Sequence, residues 1–87
     1  MARYSVRIKK TARKELEDIG TKADRRKIIK RILSLADNPH PGGSMKLSGR
    51  DRYRLRQGNY RILYAVEDRV LVVQVIKIGH RKDVYRL

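Results

Sequence analysis

The 87-residue chain contains no cysteine. That removes a disulfide framework, a thiolate nucleophile and any thiolate zinc site. Carboxylates are scarce as well, with 9 Asp and Glu against 23 Lys and Arg. In the second half they are Asp51, Glu67, Asp68 and Asp83, at no spacing that would hold a metal, so neither metal nor cofactor is expected. Long apolar runs are missing too. The longest apolar-rich stretch, Val70 to Ile78, is far too short to span a bilayer. Arg3, Arg7, Lys9 and Lys10 interrupt every apolar run near the N-terminus, which argues against a secretory signal. The expectation is one soluble, cytoplasmic domain with no membrane partner. A domain this small buries only about 60% of the surface its unfolded chain exposes. Chemistry would therefore sit on an open face rather than in a deep pocket.

What the chain has in excess is positive charge, a formal +14. Such an imbalance says little about fold but implies a polyanionic partner or an acidic protein. Nucleic acid, an anionic membrane surface and an acidic binding partner all qualify, and a merely soluble basic surface is the plain alternative.

Tyr4, Val6 and Ile8 alternate with Ser5, Arg7 and Lys9, the period of a half-buried strand. Thr11 reads as the N-cap of a first helix, with Glu15 and Glu17 in its early turns, Ala12, Leu16 and Ile19 on one face, and Gly20 at its end. A second helix is predicted from about Lys22 to Asp37, its apolar set Ile28, Ile29, Ile32, Leu33, Leu35 and Ala36. The Pro- and Gly-rich segment from Asn38 to Ser44 then forms a loop. Beyond it the pattern is strand-like. Tyr53, Leu55 and Gln57 alternate with Arg52, Arg54 and Arg56, Gly58-Asn59 marks a tight turn, and Tyr60 to Val66 is β-prone. Glu67-Asp68 makes the next turn, Val70 to Ile78 reads as a central strand, and Gly79 breaks it. The predicted class is α+β, a small mainly antiparallel sheet in the order β-α-α-β-β-β with two helices on one face. Val84-Tyr85 leaves room for a short last strand.

Alternation along a strand sends Arg52, Arg54 and Arg56 to one face. Guanidiniums in a row repel one another unless an anion lies across them, and guanidinium binds phosphate bidentately. An exposed, solvated strand face is the bland reading of the same row. Arg61, just past the turn, can pair across the hairpin with these groups. His80, Arg81, Lys82, Tyr85 and Arg86 can converge on the same patch if the strands lie adjacent. Tyrosines among arginines suit RNA, where bases stack and phosphates are held. For Tyr60 and Tyr64 the alternation favours the core instead. RNA brings its own nucleophile, the 2′-hydroxyl, so an enzyme need only take its proton, stabilise the phosphate and protonate the leaving oxygen. Arginines answer the second need. A tyrosine acidified by cations, or His80, answers the others. His40, between two prolines, reads as incidental.

Three stretches in order, Lys46-Leu47-Ser48-Gly49, Tyr53 through Tyr64, and Ile78 through Arg86, resemble the RelE/ParE toxin superfamily, and Tyr4 to Ile8 with Ala12, Leu16 and Asn38-Pro39 fits its first half. The resemblance covers nearly the whole chain. It implies a compact sheet with two helices, an antitoxin partner, and one of two activities. RelE-like members cleave mRNA in the ribosomal A site without a metal, whereas ParE-like members inhibit DNA gyrase. By the resemblance, Tyr85 is the general base toward the 2′-hydroxyl, Arg61 stabilises the scissile phosphate and Arg81 serves the leaving oxygen. Arg52, Arg54 and Arg56 hold the RNA, with Arg54 counted in the catalytic set and Lys46, His80, Lys82 and Arg86 among the RNA-binding residues. The departure is arginine at Arg52 and Arg54 where lysine is common, which makes them electrostatic groups rather than proton donors. The implied partners are an antitoxin segment of RelB type, acidic, apolar and partly disordered, together with mRNA and the ribosome. Operator DNA would be met only through the toxin–antitoxin complex. A plain repressor-like module is disfavoured, because no helix-turn-helix recognition helix is evident.

Overall fold

The computed structural model describes residues 3–47 and 51–80. Its elements run β1 (Ser5–Ile8), α1 (Lys10–Glu17), α2 (Lys22–Ser34), β2 (Ser44–Lys46), β3 (Arg52–Gln57), β4 (Tyr60–Glu67) and β5 (Val72–His80). Among the described residues the strands form one sheet in the order β1-β5-β4-β3-β2. Its pairs are antiparallel except β1 with β5, which is parallel because the two helices return the chain across one face. The α+β class and the placement of both helices on one side are therefore as the sequence predicts. No helix of the described residues is long and apolar enough to cross a membrane.

The core lies between helices and sheet. Ala12, Leu16 and Ile19 from the first helical segment and Ile28, Ile32 and Leu35 from the second pack on Leu55, Ile62, Tyr64, Val66, Val73, Val75 and Ile78. Each fully buried aliphatic side chain contributes roughly 1.5–3 kcal/mol. Tyr64 is part of this layer, its hydroxyl donating to the Pro39 carbonyl oxygen at 2.7 Å, and Tyr53 stacks on it with ring centroids 5.6 Å apart. Tyr60 also packs on the core side. The alternation that assigned Tyr60 and Tyr64 to the interior holds.

Several local expectations are corrected. Thr11 is not the N-cap of α1. The Lys9 N–H still bonds the Val75 carbonyl in the sheet, and the Arg13 N–H already reaches the Lys9 carbonyl, so the helix begins at once and Lys9 is its cap. Thr21 caps α2 instead, its Oγ1 accepting the Asp24 N–H at 3.2 Å. That helix stops at Ser34 rather than Asp37. Bonds from Leu35, Ala36 and Asp37 back to Ile32, Leu33 and Ser34 tighten the last turn. A three-residue edge strand, β2, opens at Ser44, the last residue of the expected loop, and is too short to leave a periodic signal. The β4–β5 turn spans residues 68–71, so Val70 and Leu71 are exposed turn residues and not strand. Gly79 does not break β5. Its position is held by pairing with β4, opposite Arg61, and the strand runs on to His80.

Candidate nucleic-acid interface

The face of the sheet turned away from the helices is built by alternation and register. On β3, Leu55 points into the core, which sends Arg52, Arg54 and Arg56 outward. The β3–β4 register sets Arg52 beside Ala65, Arg54 beside Leu63 and Arg56 beside Arg61. Directly opposed residues share a face, so Arg52, Arg54, Arg56 and Arg61 belong to one surface. Along β3 the guanidinium-bearing positions repeat every two residues, a spacing of roughly 6.6 Å.

Arg56 and Arg61 are like charges placed directly across from one another, an arrangement that disfavours pairing. Arg61 answers by folding back over the turn. Its Nη1 donates to the carbonyl oxygens of Gly58 and Tyr60, each at 2.9 Å, and the residue is only 5% exposed. The turn permits this because Gly58 takes a φ of +58°, a conformation costly for other residues. Nε of Arg61 is buried without a hydrogen-bond partner among the described residues. A guanidinium so desolvated and incompletely satisfied carries a free-energy cost that an anion would relieve. Arg54 sits on the same surface, its Nη2 3.7 Å from the Met45 sulfur.

Not every sequence-derived candidate joins this group. His80 is in register with Tyr60, and its ring meets the Tyr60 ring edge-on with centroids 5.9 Å apart. That puts it on the helix-bearing side, so the expectation of an imidazole within the arginine row is corrected. Lys46 is in register with Tyr53 on the edge strand and leaves the sheet on that same opposite side. Arg81, Lys82, Tyr85 and Arg86 lie outside the described residues, as does the short strand expected at Val84-Tyr85. His40 stands against Tyr53, ring centroids 4.7 Å apart, on the core side. No group of three or more potential metal ligands occurs among the described residues.

Sequence reasoning missed cations that the topology adds. Arg7 on β1 is in register with Gln74 of β5, which is in register with Ala65 of β4, which faces Arg52. Arg7 and Gln74 thus occupy the arginine face, on its far side. The alternation of β1 was legible, but nothing local says that β1 lies beside β5. Lys77, in register with Leu63, is drawn to the sheet edge, where its Nζ pairs with Glu15 Oε2 at 2.9 Å.

Comparison with known proteins agrees with this architecture. The family described as ParE toxin of type II toxin-antitoxin system, parDE, matches residues 6–85. A putative RelE-like toxin protein of Escherichia coli is 37% identical, over 98% of this chain and 93% of its own. Among solved structures, a chain of the archaeal RelE–RelB complex of Pyrococcus horikoshii superposes with a TM-score of 0.77 at 30% identity, covering 90% of this chain and 94% of that one. A doubly substituted E. coli RelE in the free state superposes at 0.76 with 32% identity, covering 99% and 93%.

Proposed function

Because the chain belongs to the RelE/ParE superfamily of type II toxin–antitoxin toxins, we propose that it is an endoribonuclease that cleaves mRNA in the ribosomal A site without a metal. The observation that carries this reading is the shared face of Arg52, Arg54, Arg56 and Arg61, with the Arg61 guanidinium buried and one nitrogen unsatisfied. In the reaction the 2′-oxygen attacks the adjacent phosphorus as Tyr85 takes its proton. The bond to the 5′-oxygen breaks to leave a 2′,3′-cyclic phosphate, and the leaving oxygen becomes a hydroxyl with a proton from Arg81 or from water, hydrogen-bonded by Arg81. Arg61 stabilises the added charge on the phosphate, with Arg54 beside it, a contribution of the oxyanion-hole kind worth about 10²–10³ in rate. Arg52 and Arg56, with Lys82 and Arg86, hold the backbone. The roles of Tyr85, Arg81, Lys82 and Arg86 rest on the sequence resemblance. His80, facing the helix side, is a weaker acid candidate than Arg81. An open, shallow site favours the view that the ribosome supplies part of the substrate geometry.

The partner in this reading is an acidic, partly disordered antitoxin segment, in keeping with the P. horikoshii relative solved as a RelE–RelB complex. Operator DNA would be engaged through that complex. The test is primer extension on a reporter mRNA after brief induction, with Tyr85→Ala alongside. Cuts inside codons of the translated frame, lost in the variant, support the reading. Intact mRNA with arrested replication and broken chromosomal DNA would support inhibition of DNA gyrase, the second reading, which the ParE description of the matching family favours.

A further inference from the structure

The helix-free face does not end at the β3–β4 hairpin. Across it, in one row, run Arg7, Gln74, Ala65 and Arg52, each in register with the next. Three interstrand gaps separate Arg7 from Arg52, about 14 Å. The floor between them is low at Ala65 of β4, with Leu63 and Lys77 next along the same face. Arg7 is exposed and, among the described residues, makes no side-chain hydrogen bond or ion pair. Gln74 is half-buried, and its amide is likewise without a hydrogen bond among the described residues. A half-buried amide with unused donors and acceptor beside an unpaired guanidinium is equipment for a polar anionic ligand. Among the described residues alternation places one carboxylate of the strands on this face, Glu67, two residues beyond Ala65 at the end of β4.

We propose that Arg7 and Gln74 form a second contact for single-stranded RNA. Arg7 would hold a backbone phosphate, and Gln74 a base edge, in the segment flanking the scissile bond. The strand then crosses a trough with the β3 arginines on one side and Arg7 on the other. This rests on the ribonuclease reading for its ligand, and it extends the footprint from the hairpin to the opposite edge of the sheet. Phosphate contacts of this kind position the substrate, while polar contacts to base edges select its sequence.

The experiment is fluorescence anisotropy with a labelled single-stranded RNA, 2′-O-methylated throughout so that it cannot be cut, titrated with the full-length chain freed of antitoxin at several salt concentrations. Single-strand binding loses affinity with salt at a slope of about −0.7 per phosphate neutralised. Arg7→Ala is expected to make that slope shallower by about 0.7, and Gln74→Ala to weaken binding about fivefold with the slope unchanged. Arg13→Ala, on the exposed surface of α1, is the control. If the wild type binds and Arg7→Ala and Gln74→Ala both behave as Arg13→Ala does, the second contact is overturned and the ribonuclease reading stands. If the wild type does not bind, the second contact is overturned, and the ribonuclease reading is decided separately by cleavage of translated mRNA. If the Arg7 effect appears but unmethylated RNA and translated mRNA stay uncut, the binding surface survives and the ribonuclease reading is the one lost.

Discussion

Arg61 and Tyr64, three residues apart on one strand, are polar side chains buried with opposite degrees of hydrogen-bond satisfaction. Burying a guanidinium with an unsatisfied nitrogen costs stability, and replacing such a charge by an apolar side chain is often neutral or favourable. Arg61→Leu is therefore expected to unfold in urea at the same midpoint as the wild type or higher and, under the proposed ribonuclease function, to lose mRNA cleavage by about 10² or more. A clear loss of stability would mean that the two carbonyl bonds of Arg61 outweigh its desolvation. Tyr64 is the opposite case, a polar group satisfied inside the core. Tyr64→Phe leaves the buried Pro39 carbonyl without its donor and should cost about 1–3 kcal/mol near neutral pH. Burial also raises the Tyr64 pKa. Its stabilisation is complete below the unfolded value of about 10 and is lost as pH rises through the folded one. The gap between wild type and Tyr64→Phe in urea unfolding should therefore narrow above about pH 10. Tyr4, raised by its hydrogen bond to Asp68, keeps a similar alkaline slope in both proteins.

At the scale of elements, the strand-to-helix joints fix where the arginine face can be. β1 ends at Ile8, so the part of β5 beyond Val75 has no strand on that side. Glu15 of α1 fills the gap, Oε1 accepting the Ile78 N–H at 3.2 Å and Oε2 pairing with Lys77. One carboxylate thus closes an open sheet edge and ties the first helix to the strand that carries Gly79 opposite Arg61. Glu15→Ala should cost about 1–2 kcal/mol by urea unfolding, chiefly through the unpaired N–H. Glu15→Gln should cost less, since its amide oxygen still accepts and the ion pair it gives up is partly exposed. Equal losses in the two variants would assign the effect to charge rather than to the strand edge. The boundaries that sequence misplaced lie at such joints. The Thr11 cap, the Ser34 end and the Val72 start were all decided by sheet hydrogen bonds or by tightening of a final turn, neither of which local composition records.

For the whole molecule, a formal charge of +14 acts on fold and ligand in opposite directions. The isolated chain repels itself, and salt screens that repulsion over a Debye length of about 10 Å at 0.1 M. Raising sodium chloride from low to moderate concentration should raise the Tm of the antitoxin-free chain by a few degrees while weakening the RNA binding proposed above. A Tm that falls or stays level in calorimetry would show that self-repulsion is not a significant load on this fold. An acidic antitoxin segment would relieve the same load. At a hundred times its Kd, a partner that binds only the folded state adds about 2.7 kcal/mol.

The sequence by itself determined the composition-level facts and the local periods. It set the absence of cysteine chemistry, the excess of cations, the helix-period and strand-period segments, and the alternation that separates Tyr64 and Leu55 from Arg54 and Arg56. Those follow from neighbours two to four residues apart, the range over which a sequence speaks directly. Only the tertiary structure decided that His80 turns to the helix side beside Tyr60, and that Arg7 and Gln74 share the arginine face. These are matters of register between strands far apart in the chain. A shift of one residue sends every side chain of a strand to the other face, and what prevents the shift is the packing of the whole core.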